Sequence, residues 1–249
     1  MKGLEDRLAE VRQEYMRRMV SGDVALLRLV EEYVVERSGK MLRPRLTLLS
    51  AATLGEEAFL SRRTLLLATA VEMLHNVSLV HDDVIDHDEI RRGRESVNGR
   101  WGNSVAVLVG DYLLAQLMKL LDEVDDRNAT RRIIQTVTAM TEAELLAQEL
   151  QATDGNRRST YLQIIDGKTA CLFATACALG NPECYDLGLC YGRLFQLYDD
   201  IADGEATVET DTLIAAEMPR WNTLADQWPG IVAQLPSYDC NKTAQTNTK

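Results

Sequence analysis

Proline is scarce here: five residues in 249, at Pro44, Pro182, Pro219, Pro229 and Pro236. The stretch 45–181 is free of the strongest helix breaker, so long helices can run through it unbroken. Positive charge is also short, with 27 basic against 38 acidic residues and a formal net charge of -11. That excludes a general nucleic-acid binder, because phosphate backbones reward basic surface. An anionic substrate must instead meet localised cations or bound metal. The five cysteines, Cys171, Cys177, Cys184, Cys190 and Cys240, include no Cys-x-x-Cys pair and are odd in number. They do not make a secreted disulfide framework, and reduced thiols in the cytoplasm are expected. The N-terminus is charged and amphipathic where a secretory leader would be apolar, which again points to the cytoplasm. Of the two longest apolar runs, 64–80 contains Glu72 and His75 and 105–121 contains Asp111. Neither reads as a membrane span, and no integral membrane protein is expected.

What is present is an apolar content of 46%, enough for one sizeable core. The reading is a single helical domain over 1–235 and a polar tail over 236–249. Segments 5–19, 65–86, 105–121, 131–151 and 186–203 carry apolar residues at mixed three- and four-residue spacing, without sustained alternation, so the fold class is all-α. Segment 65–86 is apolar on nearly every side and should be an inner helix of a bundle. Pro44 suits a first helical turn, which puts Lys40 and Arg43 in the loop before it. Segment 87–102 reads as a basic loop between buried helices.

Polar groups interrupt the inner helix in a pattern. Relative to His75, Asp82 falls at about -20° and Asp86 at about +20°, with Ser78 and Glu72 flanking the same stripe. Unpaired carboxylates cannot be left dry, so such a stripe needs a filled cavity. A lone Asp82-Asp83-x-x-Asp86 could equally mark a helix end emerging into water. A second instance, Asp199-Asp200-x-x-Asp203, closes another apolar helix, with Gln196, Asp200 and Asp203 within about 60° of one another. Two facing carboxylate clusters repel unless cations sit between them, and hard oxygen ligands favour Mg2+ over zinc. The histidines His75, His81 and His87 recur every six residues and fall on different faces, which speaks against a joint zinc site. Lys40, Arg43, Arg91, Arg92 and Lys168 supply fixed positive charge suited to diphosphate.

In order along the chain stand Gly39-Lys40-x-x-Arg43-Pro44, Glu72-Met73-Leu74-His75, Ser78-Leu79-Val80-His81-Asp82-Asp83-x-x-Asp86 and Arg91-Arg92-Gly93. Then follow Gly110-Asp111-Tyr112-Leu113-Leu114, Lys168-Thr169-Ala170 and Phe195-Gln196-x-x-Asp199-Asp200-x-x-Asp203. Over roughly residues 20–205 this resembles the trans-isoprenyl (polyprenyl) diphosphate synthase family. The resemblance implies an antiparallel helical bundle around a deep cavity and Mg2+ held by the two aspartate motifs, Asp82, Asp86 and Asp199 chief among them. It implies isopentenyl diphosphate on Lys40, Arg43, His75 and Arg92, and an allylic diphosphate (geranyl, farnesyl or longer) on Arg91 and Lys168. Thr169 and Gln196 would lie beside the reacting carbons, and a homodimer would form through central helices. Product length in the family is gauged by residues four and five before the first aspartate motif. Here they are Ser78 and Val77, neither aromatic, which implies an open tunnel and a medium- or long-chain product.

Departures from the family pattern follow Asp203, where Gly204-Glu205-Ala206 replaces a Gly-Lys element and no lysine occurs between Lys168 and Lys242. The chain thus reads as shortened at its C-terminus, although 212–232 keeps an apolar helical pattern. Ala143-Glu144 stands where the family often has Gly-Glu. An active compact enzyme is the expectation; a non-catalytic or partner-dependent subunit is the alternative. A class I terpene cyclase is a further one, opposed by the second aspartate motif and by Lys40 and Arg43.

Overall fold

The structure, a computed structural model, describes residues 3–36, 39–91, 93–153, 157–204, 206 and 208–236. Arg92, Cys240 and the proposed tail beyond Pro236 lie outside the described residues. Helices account for nearly all of the described residues, as the all-α reading requires, and the chain divides into two compact units, Met1–Thr130 and Arg131–Lys249.

The first unit contains α1 (Leu4–Met19), α2 (Ala25–Val35), α3 (Leu42–Ala52), the short α4 (Glu56–Leu60) and α5 (Arg62–Ile85). A two-stranded ribbon, β1 (Ile90–Arg91) and β2 (Arg94–Glu95), follows, then the short α6 (Val97–Trp101) and α7 (Asn103–Val124). The inner helix is α5, packed by α1, α3 and α7. Its Leu67, Ala70, Val71 and Met73 are wholly buried, and Leu8, Val11, Met41, Leu48 and Ala68 form one continuous cluster across α1, α3 and α5. Burying a leucine or methionine fully stabilises by about 1.5–3 kcal/mol, so this helix is held by packing rather than by an amphipathic stripe. The Ser61 hydroxyl caps the start of α5 by accepting from the Thr64 amide at 3.0 Å. Asp86 closes it before His87, whose φ of 58° turns the chain away.

Two local expectations change. Arg43 lies inside the first turn of α3, because Met41 in the left-handed region (φ 53°) starts the helix at Leu42, two residues earlier than Pro44 suggests. Segment 87–102 is a ribbon and a helical turn, not an irregular loop. Tyr33 on α2 anchors it: its hydroxyl donates to the Glu95 carbonyl at 2.7 Å, its ring meets Trp101 edge-on, and Arg100 covers both rings.

The second unit takes up α8 (Arg127–Thr153), which starts just before the division, then α9 (Arg157–Ile165), a π-helical turn (Asp166–Ala170) and α10 (Cys171–Gly180). After a 3-10 turn come α11 (Tyr185–Ala202), α12 (Val208–Gln227) and α13 (Pro229–Val232). The expected C-terminal helical pattern is thus a long helix and a short one. Phe173, Tyr191, Phe195 and Trp221 form an aromatic core between α10, α11 and α12. Small residues set the helix spacing. A Cβ on Gly192 would stand 2.6 Å from Ala170 Cα and 3.0 Å from the Phe173 ring. Two helices, Asn103–Val124 and Thr160–Gly180, are long and apolar enough to cross a membrane by length and composition alone. The second carries Asp166 and Lys168, both in ion pairs.

Gly192→Ala is expected to destabilise the protein by roughly 1–3 kcal/mol through overpacking against backbone. Gly230→Ala, where a Cβ meets nothing within 4 Å, should be neutral or slightly stabilising. Urea unfolding midpoints of the two variants compare them directly.

Candidate functional site

In the first unit the aspartate motif straddles the end of α5. Asp82 is half-buried and Asp86 exposed, and at four residues' spacing their side chains lie about 40° apart on one face. Asp83, rotated about 100° from Asp82, is 3% exposed. Its carboxylate is bound by the Arg91 guanidinium from β1, and Arg91 also lies 3.9 Å from Asp88. The Asp83 carbonyl, one of those a helix end leaves without a partner, accepts from the Asp88 amide at 2.9 Å and from Asn98 Nδ2 at 3.0 Å. Asn98 donates as well to the Asp88 carbonyl at 3.1 Å. The ribbon and α6 are therefore stapled to the end of α5 through Asp83.

Directly before Asp82, His81 occupies the space that a side chain at position 110 would need, since a Cβ on Gly110 would stand 2.2 Å from its Nε2. Asp111 lies 3.5 Å from the same nitrogen. The Gly110-Asp111 motif is thus a seat for His81. His75 is half-buried, and its carbonyl accepts from the Ser78 hydroxyl at 2.9 Å; Val77 is 4% exposed. Lys40 is exposed just before α3, and Arg43 is half-buried in its first turn. Both flank a helix N-terminus, whose free amides and dipole favour an anion.

In the second unit Asp199 and Asp203 are exposed at the end of α11, again about 40° apart. Asp200 is 9% exposed and held on both oxygens, by the Tyr161 hydroxyl and by Gln196 Nε2 at 2.8 Å. An ionised carboxylate only accepts, so the Gln196 amide must turn its NH2 to Asp200 and its oxygen away. That oxygen accepts from the Thr169 hydroxyl at 2.8 Å. Thr169 thus spends its proton on Gln196 and keeps its lone pairs for whatever lies beside it. Lys168 Nζ is 2.5 Å from Glu144 Oε2. Lys168 and Thr169 belong to the π-helical turn, a wide turn often found at functional sites, and Glu144 to α8. Tyr161, Asn98 and the pairing of Glu144 with Lys168 escape the sequence reading, because partners 39, 15 and 24 residues away leave no periodic signal.

Both motifs therefore split alike: Asp83 and Asp200 are tethered inside the protein, while Asp82 with Asp86 and Asp199 with Asp203 share outward faces. All four outward carboxylates crowd helix C-termini, where the backbone carbonyls already make the potential negative. Although Asp199 is exposed, the protein takes enough water from around its carboxyl to raise it above its usual pKa, aided by repulsion from Asp203 and Asp200. Clustered carboxylates at a helix end suit a hard divalent cation, so the donors fit Mg2+. Among the described residues no three His, Cys, Asp or Glu side chains converge as a complete metal cluster. Each helix end would supply part of a coordination shell, as Mg2+ sites completed by substrate phosphates require.

Comparison with known proteins spans both motifs. A family model described as polyprenyl synthetase matches residues 24–213. The all-trans-nonaprenyl-diphosphate synthase (geranyl-diphosphate specific) of Rhodobacter capsulatus is 37% identical over 224 residues, 84% of this chain and 68% of that protein. Heptaprenyl diphosphate synthase component 2 of Bacillus subtilis is 31% identical over 216 residues, 83% of this chain and 61% of the relative. The chain thus spans about two thirds or less of the length of these relatives. A crystal structure of polyprenyl synthase from Caulobacter crescentus, complexed with calcium and isoprenyl diphosphate, superposes with a TM-score of 0.75 at 28% identity. It covers 97% of this chain and 80% of that one.

Arg91→Met should leave Asp83 buried without its cation and destabilise the fold by on the order of 3 kcal/mol. The combined change Arg91→Met with Asp83→Leu should recover most of that loss. Thermal unfolding of the single and double variants checks it.

Proposed function

Because this chain belongs to the polyprenyl synthetase family, we propose that it condenses isopentenyl diphosphate with an allylic diphosphate, with Mg2+, to lengthen a trans-polyprenyl chain. The observation that carries the reading is the shared division of the two aspartate motifs, with one acid buried and two on a common face at each helix end. Mg2+, when bound, supplies positive charge against the departing diphosphate. Asp82, Asp86, Asp199 and Asp203 are its ligands, and Asp83 and Asp200 hold the two helix ends in shape.

Lys168 moves from Glu144 to the allylic diphosphate, a change suited to a flexible point charge. The allylic C–O bond breaks with its electron pair leaving on the diphosphate. The lone pairs of Thr169, fixed by Gln196, face the carbocation that remains. Lys40, Arg43 and His75 orient isopentenyl diphosphate at the start of α3 so that its double bond attacks the cation. The proton lost from the adjacent carbon passes to the released diphosphate, and the double bond re-forms one C5 unit further on. Arg92 joins the isopentenyl site by family resemblance, and Arg91 serves the allylic end through its hold on Asp83.

With Val77 buried and Ser78 small, nothing aromatic stands one turn before the motif, which favours a medium or long product. The nonaprenyl and heptaprenyl names of the relatives agree in kind. Exposed Val107, Leu108 and Met118 on α7 favour a homodimer through that helix. The free thiols of Cys171, Cys177, Cys184 and Cys190 suit a cytoplasmic enzyme. A second reading, a subunit that needs a different partner chain, is favoured by the "component 2" description of the Bacillus subtilis relative.

Incubation with Mg2+, labelled isopentenyl diphosphate and geranyl or farnesyl diphosphate is expected to give products growing in C5 steps. Asp82→Ala and Asp199→Ala should lower kcat/KM on the order of 100- to 1000-fold. A folded sample that incorporates nothing with any primer would sink the stand-alone enzyme in favour of the second reading. Light scattering should give twice the chain mass, and Leu108→Glu with Met118→Glu should give a single chain.

A further inference from the structure

The π-helical turn that carries Lys168 and Thr169 begins at Asp166, and Asp166 is gripped from α11. Arg193 Nε and Nη2 donate to its two carboxylate oxygens at 2.6 and 2.8 Å. The third edge of the same guanidinium, Nη1, donates to Glu217 of α12 at 3.2 and 3.3 Å. Arg193 and Glu217 are 15% and 14% exposed at their side chains, and Arg220 lies 3.6 Å from Glu217 on its other side. A planar fork satisfied on all edges fixes direction as well as distance, which an ammonium could not do.

The grip joins the same two elements as the polar link beside the reacting carbons, since Asp166 and Thr169 lie in the π-helical turn and Arg193 and Gln196 on α11. The turn and α11 run antiparallel, as the contacts of Gly188 with Phe173 and Ala174 and of Gly192 with Ala170 show, so both polar links bear on one crossing. Gly192 meets the Ala170 backbone at the tightest point of that crossing. A one-residue slip would break both bonds and drive the backbones together. The wide turn is further fixed by Cys171, whose thiol donates to the Gly167 carbonyl at 2.8 Å.

We infer that Arg193, with Asp166 and Glu217, is a positioning clasp that holds the π-helical turn in register with α11 and so aims Lys168 and Thr169 at the allylic substrate. The inference rests on the prenyl-transfer reading for its chemistry, but not for its geometry. Partly buried ion pairs contribute little net stability and much directional constraint. Removing one partner still costs stability, as at Arg91, so Arg193→Lys, which keeps the charge and loses the fork, is the variant that separates an effect on turnover from one on unfolding. A misplacement of about 1 Å at reacting groups costs on the order of 100-fold in rate.

The test uses the full chain with Arg193→Lys, Arg193→Gln and Asp166→Asn. Steady-state kinetics are measured against each diphosphate separately, alongside thermal unfolding and peptide-resolved amide hydrogen exchange. The expected result is a kcat lower by about 10- to 100-fold and a KM for the allylic diphosphate raised several-fold. The KM for isopentenyl diphosphate should stay within about twofold, and exchange should quicken over 164–171 but not over 62–85. Unchanged kinetics and exchange would overturn the clasp. So would exchange that rises evenly across all peptides with a lowered unfolding temperature, because that marks a merely structural pair. If Arg193→Gln fails to fold, Asp166→Asn, which keeps the side-chain volume, decides between these results. A wild-type protein inactive with every primer would overturn the stand-alone enzyme instead, and local exchange over 164–171 would then judge the clasp alone.

Discussion

Consecutive residues on an α-helix point about 100° apart, and two adjacent aspartates cannot therefore face the same way. That constraint acts twice in this protein. At the end of α5 it sends Asp83 inward while Asp82 and Asp86 stay out; at the end of α11 it sends Asp200 inward while Asp199 and Asp203 stay out. A carboxylate without water must find donors, and the two inward acids find different ones: the Arg91 guanidinium in one unit, Tyr161 and Gln196 in the other. Much of the local architecture follows from those needs. The ribbon is tied to α5 because Arg91 must reach Asp83. The Gln196 amide is oriented because Asp200 can only accept.

The outward acids stand where helix dipoles oppose them, a position that costs stability wherever no cation is present. Packing provides the compensation. In the first unit α5 is buried on nearly all sides. In the second, an aromatic cluster and backbone contact at Gly192 join α10, α11 and α12 closely. These rigid frames let each helix end carry clustered acid, and carboxylate oxygens so placed suit a hard cation.

The arrangement also separates chemistry from support. Thr169 and Gln196 have polar atoms turned toward one another in the second unit; Arg193 and Asp166 join the same π-helical turn to the same helix. Lys168 is engaged by Glu144 of α8. Polar pairs of this sort specify geometry more than they stabilise, because each group gives up hydration to form them.

The sequence by itself determined the all-α class, the main helices to within a few residues, and the ordered motifs that assign the chain to its family. Spacing of apolar residues and of acids is local information, and a helix converts it directly into faces. It also put Asp82 with Asp86 on one side of α5. Tertiary structure alone decided that Asp83 and Asp200 are tethered, that Arg43 lies within α3, and that segment 87–102 forms a ribbon held by Tyr33. It alone decided that Asp166, Arg193 and Glu217 meet. Apart from Arg91, eight residues from Asp83, and Gln196, four from Asp200, these hydrogen-bond partners are brought together by the chain's return from 24 to 62 residues away. No local periodicity records which of many charged side chains will share a low-dielectric space, because that choice is made by packing.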